Sequence, residues 1–164
     1  MDEHLPLNPP AELLRLVEAR LWPASHQQAC EQNTGERIAS DDVRRLISTE
    51  SEIHLYPPPW GCFAAVHAGM KKRLGEQDAF VRAMEGTFDQ IDPAMTLFIA
   101  DFGLGSDAPV LLDLRTNPDD PPVVGFKWIG GSSTVYHARW VQLSPSISAF
   151  VEALRLWHLP KFTR

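Results

Sequence analysis

Apolar residues recur at helical spacing near the start of the chain and in strand-length runs through its second half, and this change of period is the main clue to architecture. Leu13, Leu14, Val17 and Leu21 fall at i, i+1, i+4 and i+8, one stripe that predicts a core-facing helix over about Pro10–Trp22. Asn8 stands where a side chain accepts from the first helical amides, a proline suits the first turn, and Pro23 stops the pattern. Residues 24–40 are polar without sustained periodicity and predict a loop with at most a short helical turn. Ser40, followed by Asp41 and Asp42, reads as the cap of a short helix to about Ile47, its acids facing the positive end of the helix dipole.

Ile53–Tyr56 is β-prone and ends at Pro57, Pro58 and Pro59, which donate nothing to a ladder, so this strand stops there or lies on an edge. Phe63, Ala64, Val66 and Ala68 have helix-compatible spacing within Trp60–Met70, with Gly69 and Gly75 breaking the pattern. Asp78–Glu85 predicts another short helix, with Ala79, Phe80, Ala83 and Met84 on one face and Gly86 at its end. Thr96–Phe102, Val110–Leu114, Val123–Trp128 and Val135–Leu143 are then four strand-length runs separated by turns rich in Gly, Pro and Asp, a contiguous antiparallel meander. In the last run Tyr136, Ala138 and Trp140 alternate with His137, Arg139 and Val141, as one more-buried sheet face requires. Ser144 and Pro145 open a closing helix in which Ile147, Phe150, Val151 and Leu154 share a face. Helices, then sheet, then helix is an α+β order, not the strict alternation of a parallel doubly wound fold.

Length and charge narrow the classes. With 164 residues, 44% of them hydrophobic, residues 1–164 are read as a single domain. A chain of this size buries roughly 70% of its unfolded surface, so its core needs no metal, cofactor or disulfide. Cys30 and Cys62 are too few for a stapled secreted scaffold and are read as reduced thiols in a cytoplasmic protein. Asp2 and Glu3 stand where a secretory signal carries basic residues. Met95–Ala100, the longest apolar candidate, falls far short of the ~18 residues of a membrane span, so no membrane role is expected. Fifteen Lys+Arg against 21 Asp+Glu give a net charge of −6, and no basic run exceeds Lys71-Lys72-Arg73. Direct nucleic-acid binding is not expected, whereas docking of a basic protein is compatible with that balance.

Gly103-Leu104-Gly105-Ser106-Asp107-Ala108 has the spacing of a dinucleotide-binding turn, but Pro109 leads into a strand instead of the helix that would hold a phosphate, so it reads as a hairpin connection. Asp101, Asp107 and Asp113 recur every six residues, which brings two or three carboxylates to one end of that hairpin if its register allows, with Arg115 able to neutralise one. Asp at turns more commonly caps backbone amides. The six histidines form no zinc-type pairs, and Cys30 and Cys62 have no readable base partner, so neither an enzyme nor a metal or other cofactor is expected. Most of the five tryptophans belong to the core, while Trp60, after three prolines, suits either an interface anchor or packing of the turn.

The segment Leu97–Asp113 resembles the glycine-aspartate hairpin of the SMI1/KNR4 family (SUKH superfamily). The likeness extends to Val123–Trp128, to Arg139-Trp140-Val141 and to the terminal helix with Phe150. Upstream, His54-Leu55-Tyr56-Pro57-Pro58-Pro59 followed by an aromatic resembles a segment of bacterial members, so the resemblance covers about Ile53–Leu154 and is strongest over Asp101–Asp113. It implies a mainly antiparallel sheet flanked by helices and a role in protein binding. In it Asp101, Gly103, Gly105, Ser106, Asp107, Asp113, Trp128 and Trp140 shape the fold. Bacterial members of the family are regarded as immunity proteins that neutralise toxins, often nucleases or deaminases, and fungal members act in cell-wall regulation and signalling. The expectation is a non-enzymatic, cytoplasmic immunity-type protein whose partner, such as a basic toxin domain, meets Trp60, Asp107, Asp119 and Asp120. An intracellular adaptor without a toxin, and a small enzyme built on Asp101, Asp107 and Asp113, are the alternatives.

Overall fold

Among the described residues five strands pair in the order in which they occur along the chain: β1 (His54–Leu55), β2 (Thr96–Asp101), β3 (Pro109–Asp113), β4 (Val123–Ser132) and β5 (Val135–Ser144). Every pairing is antiparallel, which gives the expected meander with the proline-terminated strand β1 on one edge. The computed structural model describes residues 7–34, 37–103, 108–132 and 135–163. Leu104, Gly105, Ser106 and Asp107, four positions of the hairpin motif, therefore lie outside the described residues. Among the described residues six helices accompany the sheet: α1 (Ala11–Glu18), α2 (His26–Thr34), α3 (Ser40–Leu46), α4 (Phe63–Leu74), α5 (Ala79–Glu85) and α6 (Ile147–Ala153). Among the described residues no helix is long and apolar enough to cross a membrane.

Both faces of the sheet are covered, and each has its own core. On one face Leu97, Ile99, Val110, Leu112 and Val123 pack with Leu13 and Leu16 of α1, Val43 of α3 and Ile147, Phe150 and Val151 of α6. On the other, Leu111, Val124, Phe126 and Trp140 pack with Phe63 and Met70 of α4 and Val81 and Met84 of α5. Central strand β3 is buried at every position, which is why it reads as a continuous apolar run without alternation. The second core is largely aromatic. Phe63 meets Phe88, Phe98 and Trp140 edge-to-face at centroid distances of 6.3, 6.0 and 5.5 Å, the arrangement favoured by the ring quadrupoles.

Several elements differ from the sequence expectation. Helix α1 ends at Glu18, so its inward face is Leu13 and Leu16, and Leu14 is left 47% exposed. Leu21 reaches the core through the turn that follows, where its amide donates to the Leu16 carbonyl. Pro10, not Asn8, occupies the cap, without a side-chain hydrogen bond. The polar stretch after Pro23 is the nine-residue helix α2, in which Ala29 is buried. Ser40 is the first residue of α3 and Ala39 its cap. Gly69 is absorbed into α4, which ends at Gly75, where φ is +97° and a side chain would be strained. In α5 the fully buried positions are Val81 and Met84, while Ala79 is exposed. Asp78 caps that helix by accepting from the Val81 amide. Ser146, not Ser144, caps α6, accepting from the Ala149 amide.

Candidate functional site

Glycine and proline chemistry on the β1 side of the sheet opens a hollow. The Tyr56 amide donates to the Ile99 carbonyl and the Phe98 amide to the Gly61 carbonyl, so the chain tracks the edge of β2 at both ends of this segment. Between these bonds Pro57, Pro58 and Pro59 offer no N–H, the Pro58–Pro59 bond is cis, and the segment bows outward. The Tyr56 carbonyl at the base of the bow accepts from two indoles, Trp22 Nε1 at 2.7 Å and Trp60 Nε1 at 2.8 Å. One side of Trp60 thus packs against the first core, and the other borders a hollow of about 480 Å³. Leu97 lines it from the sheet, Leu7 and Leu14 from the α1 side, and Cys62 and Ala65 from the start of α4. Thr96 holds that start in place, its Oγ1 donating to the Pro93 carbonyl and accepting from the Phe63 amide.

The described lining is apolar apart from the Cys62 thiol, and Cys62 and Cys30 are both free. Such a surface takes up aliphatic or aromatic side chains, and a half-buried tryptophan at its rim is the type of residue that dominates binding energy at protein interfaces. The exposure of Leu14 has its counterpart here, since the leucine turned away from the core borders the hollow.

The acidic positions are dispersed. Asp101 pairs with Pro109 in register and Thr96 with Asp113, so Asp101 and Asp113 stand at opposite ends of the β2–β3 hairpin, five residues or about 16 Å apart. The expected convergence of these carboxylates is therefore absent, and Asp107 lies outside the described residues. Among the described residues no three His, Cys, Asp or Glu side chains group as metal ligands. Asp101 is fully buried, its carboxylate accepting from the Ala108 amide and the Tyr56 hydroxyl, both at 3.3 Å. Gly103 next to it has φ +84°, as a turn residue without Cβ can. Asp119 is exposed, whereas Asp120 accepts from the Ser148 amide at 3.0 Å and so caps the first turn of α6. Neither is among the described residues lining the hollow. Trp140 is buried, its indole donating to Thr87 Oγ1, and its amide on the β5 edge is covered by the Gln90 side chain. Trp128 is half-buried between Phe80 and Phe126.

Asp113 is the acid that Arg115 neutralises. Arg115 donates to it through Nε at 3.0 Å and Nη2 at 2.8 Å, and its Nη2 also reaches the Gln90 carbonyl. Burial pushes the Asp113 carboxyl up, but the hydrogen bonds and charge of Arg115 outweigh it and hold the group below the ordinary carboxylate range. A depressed carboxyl stabilises the fold above its unfolded pKa, and that contribution disappears as pH falls through the folded value. Arg115→Met is thus expected to lose about 1 kcal/mol near neutral pH, a value discounted for the exposure of the guanidinium. Denaturant midpoints measured from about pH 7 down to about pH 2 should converge for the two proteins. A gap that persists in acid would mean that Arg115 acts by packing alone.

No known protein family matches the chain, and no solved structure matches it. The small ribosomal subunit protein uS10m of Emericella nidulans is 32% identical to it over 123 residues, which cover 70% of this chain and 41% of that protein. The chain thus spans about two fifths of the length of the curated relative it matches.

Proposed function

We propose that this chain is a non-enzymatic protein-binding domain of the SMI1/KNR4 (SUKH) type, an immunity protein that seats an apolar side chain of a toxin domain in the hollow beside Trp60. The observation that carries the reading is the hollow itself: about 480 Å³, described lining side chains apolar but for one thiol, and a tryptophan fixed at its rim. The antiparallel sheet with helices packed against it agrees with the general α+β class that the sequence resemblance implies, and the hairpin carrying Asp101 and Gly103 lies at its centre. Exposed Asp119 is available to a basic partner, and the net charge of −6 favours encounter with one. Because Asp120 also caps α6, charge reversal there tests stability together with binding.

The test is affinity capture with the tagged protein from lysate of its source organism, salt-washed and read by mass spectrometry. A stoichiometric partner with a nuclease or deaminase domain, silenced when this protein is added, supports the proposal. Trp60→Ala should then weaken that complex about tenfold and Trp60→Phe much less. An unchanged affinity in Trp60→Ala would remove the hollow from the interface. Recovery of several signalling or envelope-synthesis proteins instead would favour the adaptor reading. The relative's name places that protein in a small ribosomal subunit, so co-purification of ribosomal proteins is the outcome that would transfer this context here. The acidic balance of the chain argues against direct contact with ribosomal RNA.

A further inference from the structure

The β4–β5 hairpin outgrows the sheet to which it belongs. Each strand has ten residues, yet β3 pairs with β4 only from Val123 to Gly125, and from Phe126 onward the register joins β4 to β5 alone. One face of this arm is covered, where Phe126, Trp128, Ala138 and Trp140 pack into the second core beside Phe80 of α5. Strand alternation puts half-buried Lys127 with His137 and Arg139 on the opposite face, beyond Val141, which packs against the first core. His137 and Arg139 are exposed there, and Ile129, at the bulge between Trp128 and Gly130, is 57% exposed.

Lys127 and Arg139 are direct cross-strand partners. Two like charges facing each other across an antiparallel pair are destabilising, and among the described residues neither has an ion-pair partner. In a chain with 21 acidic side chains against 15 basic ones, this is a local inversion of sign that folding does not require. We propose that this open face of the hairpin docks an acidic, extended segment of a protein partner, with carboxylates bridging Lys127 and Arg139 and an apolar side chain resting on Ile129. The surface is distinct from the hollow, and the inference stands without the function proposed above. A nucleic acid is the poorer fit, because a cation pair on a chain of net charge −6 neutralises too few phosphates for useful affinity at physiological salt.

The experiment follows backbone amide shifts of the isotopically labelled full chain at low salt during titration with a short synthetic peptide of glutamates flanking two leucines. The expected result is saturable shifts centred on Lys127, Ile129, His137 and Arg139, weakened about tenfold by Lys127→Glu or Arg139→Glu. Lys127→Glu also converts the like-charged pair into an opposite one, so its thermal midpoint should rise by about 1–3 °C while binding weakens, a combination that misfolding cannot produce. No shifts at these residues, equal shifts in the variants, or a fall of the midpoint in Lys127→Glu would overturn the proposal. Stronger shifts of the same amides with single-stranded RNA would overturn it too, assigning the face to phosphates.

Discussion

Phe63→Ala is expected to destabilise the protein by about 4 kcal/mol, roughly half the stability of a typical domain. Phe63 is fully buried at the first turn of α4, and its ring touches Phe88, Phe98 and Trp140 together. Truncation removes the transfer energy of the ring and leaves a cavity walled by aromatics, which relax poorly because each is already held edge-to-face by others. Trp140 is fixed in addition by its indole hydrogen bond to Thr87 and cannot swing into the space without leaving Thr87 Oγ1. Phe63→Leu, which keeps most of the volume, should cost about 1–2 kcal/mol. Urea unfolding of the two variants measures the difference, and similar losses in both would show that the site collapses freely. Because the Phe63 amide is tied to Thr96 through the backbone, both variants leave the α4 anchor beside the hollow in place.

How far the sequence carried depended on whether the relevant forces were local. The strands from Thr96 to Ser144 were legible because each is a β-prone run bounded by turn residues, and Pro57–Pro59 marked an edge because proline cannot enter a ladder. Helix α2 was not legible: its sequence, HQQACEQNT, has no apolar period, and it is held from outside, Gln28 donating to the Thr163 carbonyl of the C-terminal tail. The face of α1 was misread because the helix stops at Glu18, two turns in, so a stripe of three leucines and Val17 extrapolated past its end put Leu14 inside. Asp101 and Asp113 looked convergent because equal spacing along the chain ignores register, which pairs Asp101 with Pro109 and Asp113 with Thr96. The hollow was beyond reach, since Leu14, Trp60, Cys62 and Leu97 come together only in the tertiary structure. Trp60 alone was marked in advance, by the rigidity of the turn that precedes it.

Asp101→Ala should cost about 3 kcal/mol, and it links the hairpin motif to the hollow. Register places Pro109 opposite Asp101, so β3 has no amide to give at that point, and the carboxylate takes the next one, from Ala108. Its other oxygen accepts from the Tyr56 hydroxyl, across the short strand β1. Alanine leaves both donors without this acceptor in a site closed to water, each at a cost of about 1–2 kcal/mol. Asp101→Asn retains one acceptor but turns an amide donor toward the other position, so it should recover about half the loss. The Tyr56 carbonyl carries the indoles of Trp22 and Trp60, and its ring packs edge-to-face on Phe98 at 5.0 Å, so releasing the hydroxyl loosens the residue on which the rim of the hollow rests. Near-UV circular dichroism below the unfolding transition should therefore fall in Asp101→Ala and change little in Arg115→Met, whose hydrogen bonds lie at the far end of the hairpin. Equal spectra for both variants would confine Asp101 to local turn-making, whereas a selective change would make the buried aspartate the support of the surface on which Trp60 stands.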